Sequence, residues 1–157
     1  MQMSDTREIQ ADPAIVYAAL QDPKVLKTCI AGATEVTGTP QDGYTATVVQ
    51  KVGPVRATFK GHVTMSDMVE NRSMKLAGEG KGGVAGFAKG GADVTLAPGT
   101  DGGTLLSYNV ESKVGGKLAQ LGNRLIDGFA KKMADQFFAR LKDELEGPKN
   151  NADPANS

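Results

Sequence analysis

Residues Gly78–Gly91 read GEGKGGVAGFAKGG, half of them glycine, with a formal G-x-G-x-x-G at Gly78, Gly80 and Gly83. Read as a phosphate cradle, the stretch makes the chain a nucleotide enzyme. Read as a connection between strands, it belongs to an antiparallel sheet. A dinucleotide fingerprint opens a helix within a strand–helix–strand unit, because the helix N-terminus receives the pyrophosphate. Here VAGFAKGGADVTL follows Gly83, too rich in glycine for a helix and soon strand-like. No acidic residue stands at the ribose-binding distance, since Asp101 lies in a turn, and the pattern G-x-x-x-x-G-K-[ST] is absent. The stretch is therefore expected to be a long, flexible hairpin connection, and such loops are usually lids or binding loops. Phe87 in its middle has two readings: a plug folded into the core, or a mobile lid or membrane anchor.

The flanks alternate with a period of two, as half-buried antiparallel strands do. On the N-terminal side, Val55, Ala57, Phe59, Gly61, Val63 and Met65 oppose Arg56, Thr58, Lys60, His62 and Thr64. Before them Tyr44, Ala46, Val48, Gln50 and Val52 share a face, and after them Met74 and Leu76 do. On the C-terminal side Ala92, Val94 and Leu96, then Leu106, Tyr108 and Val110, point inward. Turns are expected at Gly38–Gly43, Gly53-Pro54, Asp67–Asn71 and Pro98–Gly103. Nearer the start, a strand in MSDTREIQA precedes two short helices. Asp12-Pro13 and Asp22-Pro23 place an N-cap and a first-position proline at each, and Ile15, Val16, Ala19 and Leu20 form the first helix's apolar face.

Beyond Gly115-Gly116, apolar residues recur mostly every fourth position from Leu118 through Leu121, Leu125, Phe129, Met133, Phe137 and Leu141 to Leu145. The spacing predicts one amphipathic helix of about 30 residues, ~45 Å long. Its stripe must be buried, and the sheet is the large partner available. The fold class is α+β: a curved antiparallel sheet around a long C-terminal helix, enclosing a cavity. One domain over 1–146 suits the length, and the tail 147–157, rich in Pro, Asn and Gly, is expected to be disordered.

Basic and acidic residues balance at 18 each, which argues against a nucleic-acid partner, and tryptophan is absent. A lone cysteine, Cys29, excludes an intrachain disulfide and packs as a small hydrophobe. The polar start MQMSDTREIQ and the lack of long apolar runs lead to the expectation of a cytoplasmic protein. The lone His62 falls on the wet face, and no nucleophile–base pair or metal cluster assembles, so no catalytic or metal residue is assigned. A cavity enzyme using Tyr44 or Tyr108 stays as an alternative.

In an up-and-down sheet successive turns alternate between two ends. One end collects Lys51, Arg56, Lys81, Lys89, Lys113 and Lys117 against Glu79 and Asp93. The other collects Asp42, Asp67, Glu70 and Asp101 against Arg72. The basic end, which also holds Phe87, suits an anionic surface, a lipid headgroup layer or an acidic partner. Contact is assigned to Lys81, Phe87, Lys89 and Lys117.

KVGPVRATFKGHVTMSD, GEGKGGVAGFAKGGADVTL and VGGKLAQLGNRLIDGFAKKMADQFF resemble the family of the carbon monoxide dehydrogenase G subunit, of the START/Bet v 1-like (SRPBCC) superfamily of helix-grip folds. The likeness runs from about Met3 to Leu145. It implies a non-catalytic accessory protein of a molybdenum-containing carbon monoxide dehydrogenase, peripheral to the inner face of the cytoplasmic membrane. It also implies a cavity for a hydrophobic small molecule, with a respiratory quinone (menaquinone or ubiquinone) as candidate ligand. The candidate walls are Phe59, Met65, Tyr108, Leu121, Leu125, Phe129 and Met133, with Phe87 as lid. A docking protein without a ligand is the first alternative and a small cavity enzyme the second.

Overall fold

The structure, a computed structural model, describes residues 1–147, and apart from Gly147 the tail expected to be disordered lies outside the described residues. Strand β1 (Gln2–Ile9) leads into α1 (Pro13–Ala19) and α2 (Pro23–Cys29). Then come β2 (Ala33–Thr39), β3 (Gly43–Val52), β4 (Val55–Val69), β5 (Ser73–Lys81), β6 (Phe87–Pro98) and β7 (Thr104–Gly115). A 3-10 segment, Gly116–Leu121, precedes α3 (Asn123–Glu146). The strands form one antiparallel sheet in the order β1-β7-β6-β5-β4-β3-β2. From β2 to β7 the sheet is a meander, and β1 joins it beside the last strand. Helices α1 and α2 carry the chain from one edge to the other, and α3 lies across the concave face.

The short helices start where the cap chemistry puts them. Asp12 accepts from the Ala14 amide at 2.8 Å and Asp22 from the Lys24 amide at 2.9 Å, each with a proline at the helix start. Such a cap contributes ~1 kcal/mol. Val16, Ala19 and Leu20 are buried as expected, but Ile15 is 53% exposed and Tyr17 is buried. Less than two turns long after its cap, α1 takes its buried face from where it docks rather than from a periodic stripe.

Strands β3 to β7 keep the expected alternation, and the structure extends it through the glycines. The stretch Gly78–Gly91 is not a long loop. Strand β5 runs on to Lys81 and β6 begins at Phe87, with Gly78 paired to Gly90 and Gly80 to Ala88. Only a tight turn around the 3-10 residues Gly83–Ala85 joins them. Glycine is needed because the strands crowd: a Cβ on Gly90 would overlap the Glu111 carbonyl of β7 and lie 2.7 Å from the Ser112 Cα. Flexibility in the residue type has been used for close approach, not for motion.

The long helix is also shorter than the spacing predicts. Leu118 and Leu121 belong to the 3-10 segment, and α3 has 24 residues, ~36 Å by helical rise. The break falls at Gly122, whose φ of 92° is not helical. The apolar stripe runs across the break because both segments face the same interior. Two core clusters result. One joins Ile9, Val16, Leu20, Leu106, Phe138 and Leu141; the other joins Val52, Leu118 and Ile126 with Phe59 and Phe129 packed against them.

Candidate functional site

Between the clusters the interior is hollow. One chamber of about 300 Å³ is lined by Leu20, Tyr44, Met65, Met74, Tyr108 and Phe138 among others. A second, of about 460 Å³, is lined by residues including Phe59, Gly80, Ala88, Leu118, Phe129 and Met133. Met3, Ile30, Val110, Ala134 and Phe137 line both, so the chambers adjoin at a shared waist. The combined space falls within the ~300–1,000 Å³ of small-molecule sites.

The glycines help to make this room. On the concave face Gly61 pairs with Gly80, Gly78 with Gly90, and Gly80 with Ala88. These positions alternate with exposed Lys60, Glu79, Lys81 and Lys89 on the convex face. The middle strands therefore present bare backbone where larger side chains would fill the hollow, and Gly61, Gly78, Gly80 and Gly90 floor the concavity with Ala88 and Ala92.

The first chamber's polar groups are engaged by the protein itself. The Tyr44 hydroxyl donates to the Gln21 carbonyl, and burial, with Asp22 nearby, pushes its phenol pKa up. The Tyr108 hydroxyl accepts from Arg7 Nη2 at 3.1 Å, and its ring stacks on Phe138 at 5.2 Å. Arg7 lies 5.0 Å from the Phe138 ring centroid and 2.8 Å from Asp135. Among the described residues no group of His, Cys, Asp and Glu could hold a metal ion. Cys29 is fully buried, its thiol pushed up to about 11 by burial and by Glu144.

Of the wall residues expected from the sequence, Met65 and Tyr108 line the first chamber, and Phe59, Phe129 and Met133 the second. Leu121 packs into the second cluster. Leu125 lines neither chamber; it is 40% exposed and reaches over Gly53. Phe87 does not cover the cavity. It stands on the convex side, 38% exposed, with its ring over Gly115. Its parity could have shown this, because Ala92, Val94 and Leu96 face inward and Phe87 is out of step with them. The residues at the waist were missed apart from Val110, placed inward by its alternation, and Phe137, by its helical periodicity. A larger depression of about 600 Å³ on the convex face is open and bordered by Glu79, Lys89, Glu111 and Lys113, an ordinary wet sheet surface.

Basic residues gather at one end of the sheet, while Asp93, expected there, lies mid-strand beside Lys75. The Gly53-Pro54 turn, the Gly83–Ala85 turn and the end of β7 lie together. On the adjoining convex face like charges stand directly opposite each other: Lys51 with Arg56, Lys60 with Lys81, and Lys89 with Lys113. Glu79 sits beside Lys89. None of these lysines joins a salt bridge among the described residues. Lys117 follows in the 3-10 segment, and Val84, at the turn, is 85% exposed. No helix among the described residues is long and apolar enough to cross a membrane.

The family profile of the carbon monoxide dehydrogenase G subunit (CoxG) matches residues 6–146. Among curated proteins none matches the chain. A conserved protein of Geobacillus kaustophilus has a similar solved structure, with 27% identity, a TM-score of 0.86, and 93% of this chain and 95% of that chain covered. A START superfamily protein of Mycobacterium smegmatis shares the fold at 13% identity and a TM-score of 0.68, covering 92% and 97%. A Thermus thermophilus protein does so at 12% identity and a TM-score of 0.67, covering 92% and 97%. Hollow sheet, capping helix and matched profile agree: the chain belongs to the CoxG family, that of the carbon monoxide dehydrogenase G subunit, with a START-like helix-grip fold.

Proposed function

We propose that this protein is an accessory carrier for a carbon monoxide dehydrogenase, holding a respiratory quinone or similar prenyl lipid and exchanging it at the cytoplasmic membrane. The observation that carries the reading is the two-chambered, oil-lined hollow, whose tyrosine hydroxyls are already bonded within the protein. Each buried CH₂ of a tail contributes ~0.8 kcal/mol, and leaving the bilayer costs about as much. A cavity as apolar as lipid makes transfer nearly balanced, as a carrier requires.

The basic convex end supports the membrane part. Its unpaired lysines favour an anionic headgroup layer, and Val84 and Phe87 offer apolar side chains beside them. The same surface favours a second reading, a docking protein that never takes a ligand. Organic extraction of the purified protein followed by mass spectrometry, with prenyl-lipid transfer between vesicles, separates the two. A bound prenyl lipid and accelerated transfer are expected of the carrier. An empty protein that transfers nothing but still binds the dehydrogenase leaves docking alone.

A further inference from the structure

The two chambers differ in what they leave open to a ligand. In the first, the side-chain polar groups are the hydroxyls of Tyr44, which donates to the Gln21 carbonyl, and Tyr108, which accepts from Arg7. In the second, the polar side chains are Gln50 from β3 and Ser112 from β7, strands separated in the sheet by β4, β5 and β6. The Gln50 Nε2 donates to the Ala31 carbonyl, which fixes the amide's orientation because a carbonyl can only accept. That nitrogen is tucked against the chain at Gly32, where a Cβ would lie 2.9 Å away. Gln50 Oε1 and Ser112 Oγ have no hydrogen-bond partner among the described residues. A ligand that expels water from this chamber must satisfy an obligate acceptor, Oε1, and a hydroxyl able to donate or accept.

Resting on the carrier reading, we propose that the second chamber is the head-group site, with the tail passing the waist into the first. The site takes a head bearing a hydroxyl donor, the reduced dihydroxy form of a prenylated quinone, in preference to the oxidised dione. A carbonyl head offers only acceptors and leaves Gln50 Oε1 desolvated and unpaired, the costly outcome for a buried polar atom. A hydroxyl head donates to Oε1 and still accepts from Ser112.

The test uses 2-methyl-3-geranyl-1,4-naphthoquinone, its hydroquinone kept under argon, and the hydroquinone dimethyl ether, each displacing an apolar fluorescent dye from the full chain. The hydroquinone is expected to bind about fivefold more tightly than either other probe, the worth of one hydrogen bond. In Gln50→Met the preference should disappear while all three probes still bind. Ser112→Ala, which leaves the Ala31 tether intact, should weaken hydroquinone and quinone alike and keep the preference, and Gln50→Leu keeps the test usable if Gln50→Met folds poorly. Equal binding of all three probes to the unaltered protein overturns the head-group proposal and leaves the carrier reading standing. A preference that survives substitution of Gln50 overturns the assignment to this residue. Failure of every probe to bind overturns the proposal together with the carrier reading.

Discussion

Arg7 of β1 and Asp135 of α3 meet at 2.8 Å, fastening the first strand of the chain to its last helix. The guanidinium also covers the Phe138 ring and is only 17% exposed. Its Nε has no hydrogen-bond partner among the described residues, although Asp5 lies 3.3 Å away. The clamp is thus held by one well-made contact, supported by Lys131, which donates to the same carboxylate at 3.1 Å.

The clamp should show in the pH dependence of stability. Hydrogen bonds from Arg7, and then from Lys131, hold the Asp135 carboxyl below its ordinary range. A carboxyl depressed in the folded state stabilises the fold in full above its unfolded pKa, and that contribution is lost as pH falls through the folded value. Asp135→Asn should lower the melting temperature at neutral pH, with the gap to the unaltered protein closing in acid below about pH 4. A gap that stays constant over the titration would show that the charge contributes nothing.

Arg7→Ala should cost about 1–2 kcal/mol, because it removes packing over an aromatic ring as well as the ion pair. Arg7→Met, which keeps an apolar stem over Phe138, should recover part of this. Chemical denaturation of both variants provides the comparison.

Ala134 faces the waist between the chambers. Ala134→Phe should exclude a long-tailed ligand while leaving a short naphthoquinone able to bind, at some cost in stability, since Ala134 also packs against the first core cluster. Parallel titrations with short- and long-tailed probes read this out. Equal loss of both would mean that the chambers do not act in series.

Gly128 sits inside α3 with nothing within 4 Å of where a Cβ would stand. Gly128→Ala should stabilise the protein by about 1 kcal/mol through helix propensity alone. Gly90→Ala should be strongly destabilising, because the backbone of β7 already occupies the space. Thermal unfolding of the pair tests whether these glycines serve opposite purposes.

Lys81→Glu should relieve repulsion with Lys60 and modestly raise stability, yet weaken sedimentation with anionic vesicles. Phe87→Ala should likewise reduce vesicle binding with little change in melting temperature, given its place on the convex side. Unchanged vesicle binding in both variants would remove this face from the membrane proposal.

The meander of β3 to β7, its turns and the short helices were legible because cap residues, turn residues and alternation are local signals. The failures share a cause. The glycines of β5 and β6 carry no side chain to display a period, so sequence could not show whether they were loop or tightly packed strand. Leu118 and Leu121 continued the apolar spacing of α3 across Gly122, since burial selects apolar residues in any backbone geometry. Phe87 was misplaced by treating the glycine stretch as a break in phase, although counting back from Val94 gives its side. The waist is legible only in three dimensions, because Met3, Ile30, Val110 and Ala134 come from four different elements or their connections.

The pairing of Met3 with Val110 has a consequence for how the molecule is made. Both residues sit at the waist, and more than a hundred positions of chain separate them. During synthesis β1 has no strand to join until β7 has emerged, so the two walls meeting there come together late. The hollow is a product of the final seam: the chain can form its meander before it has an enclosed interior.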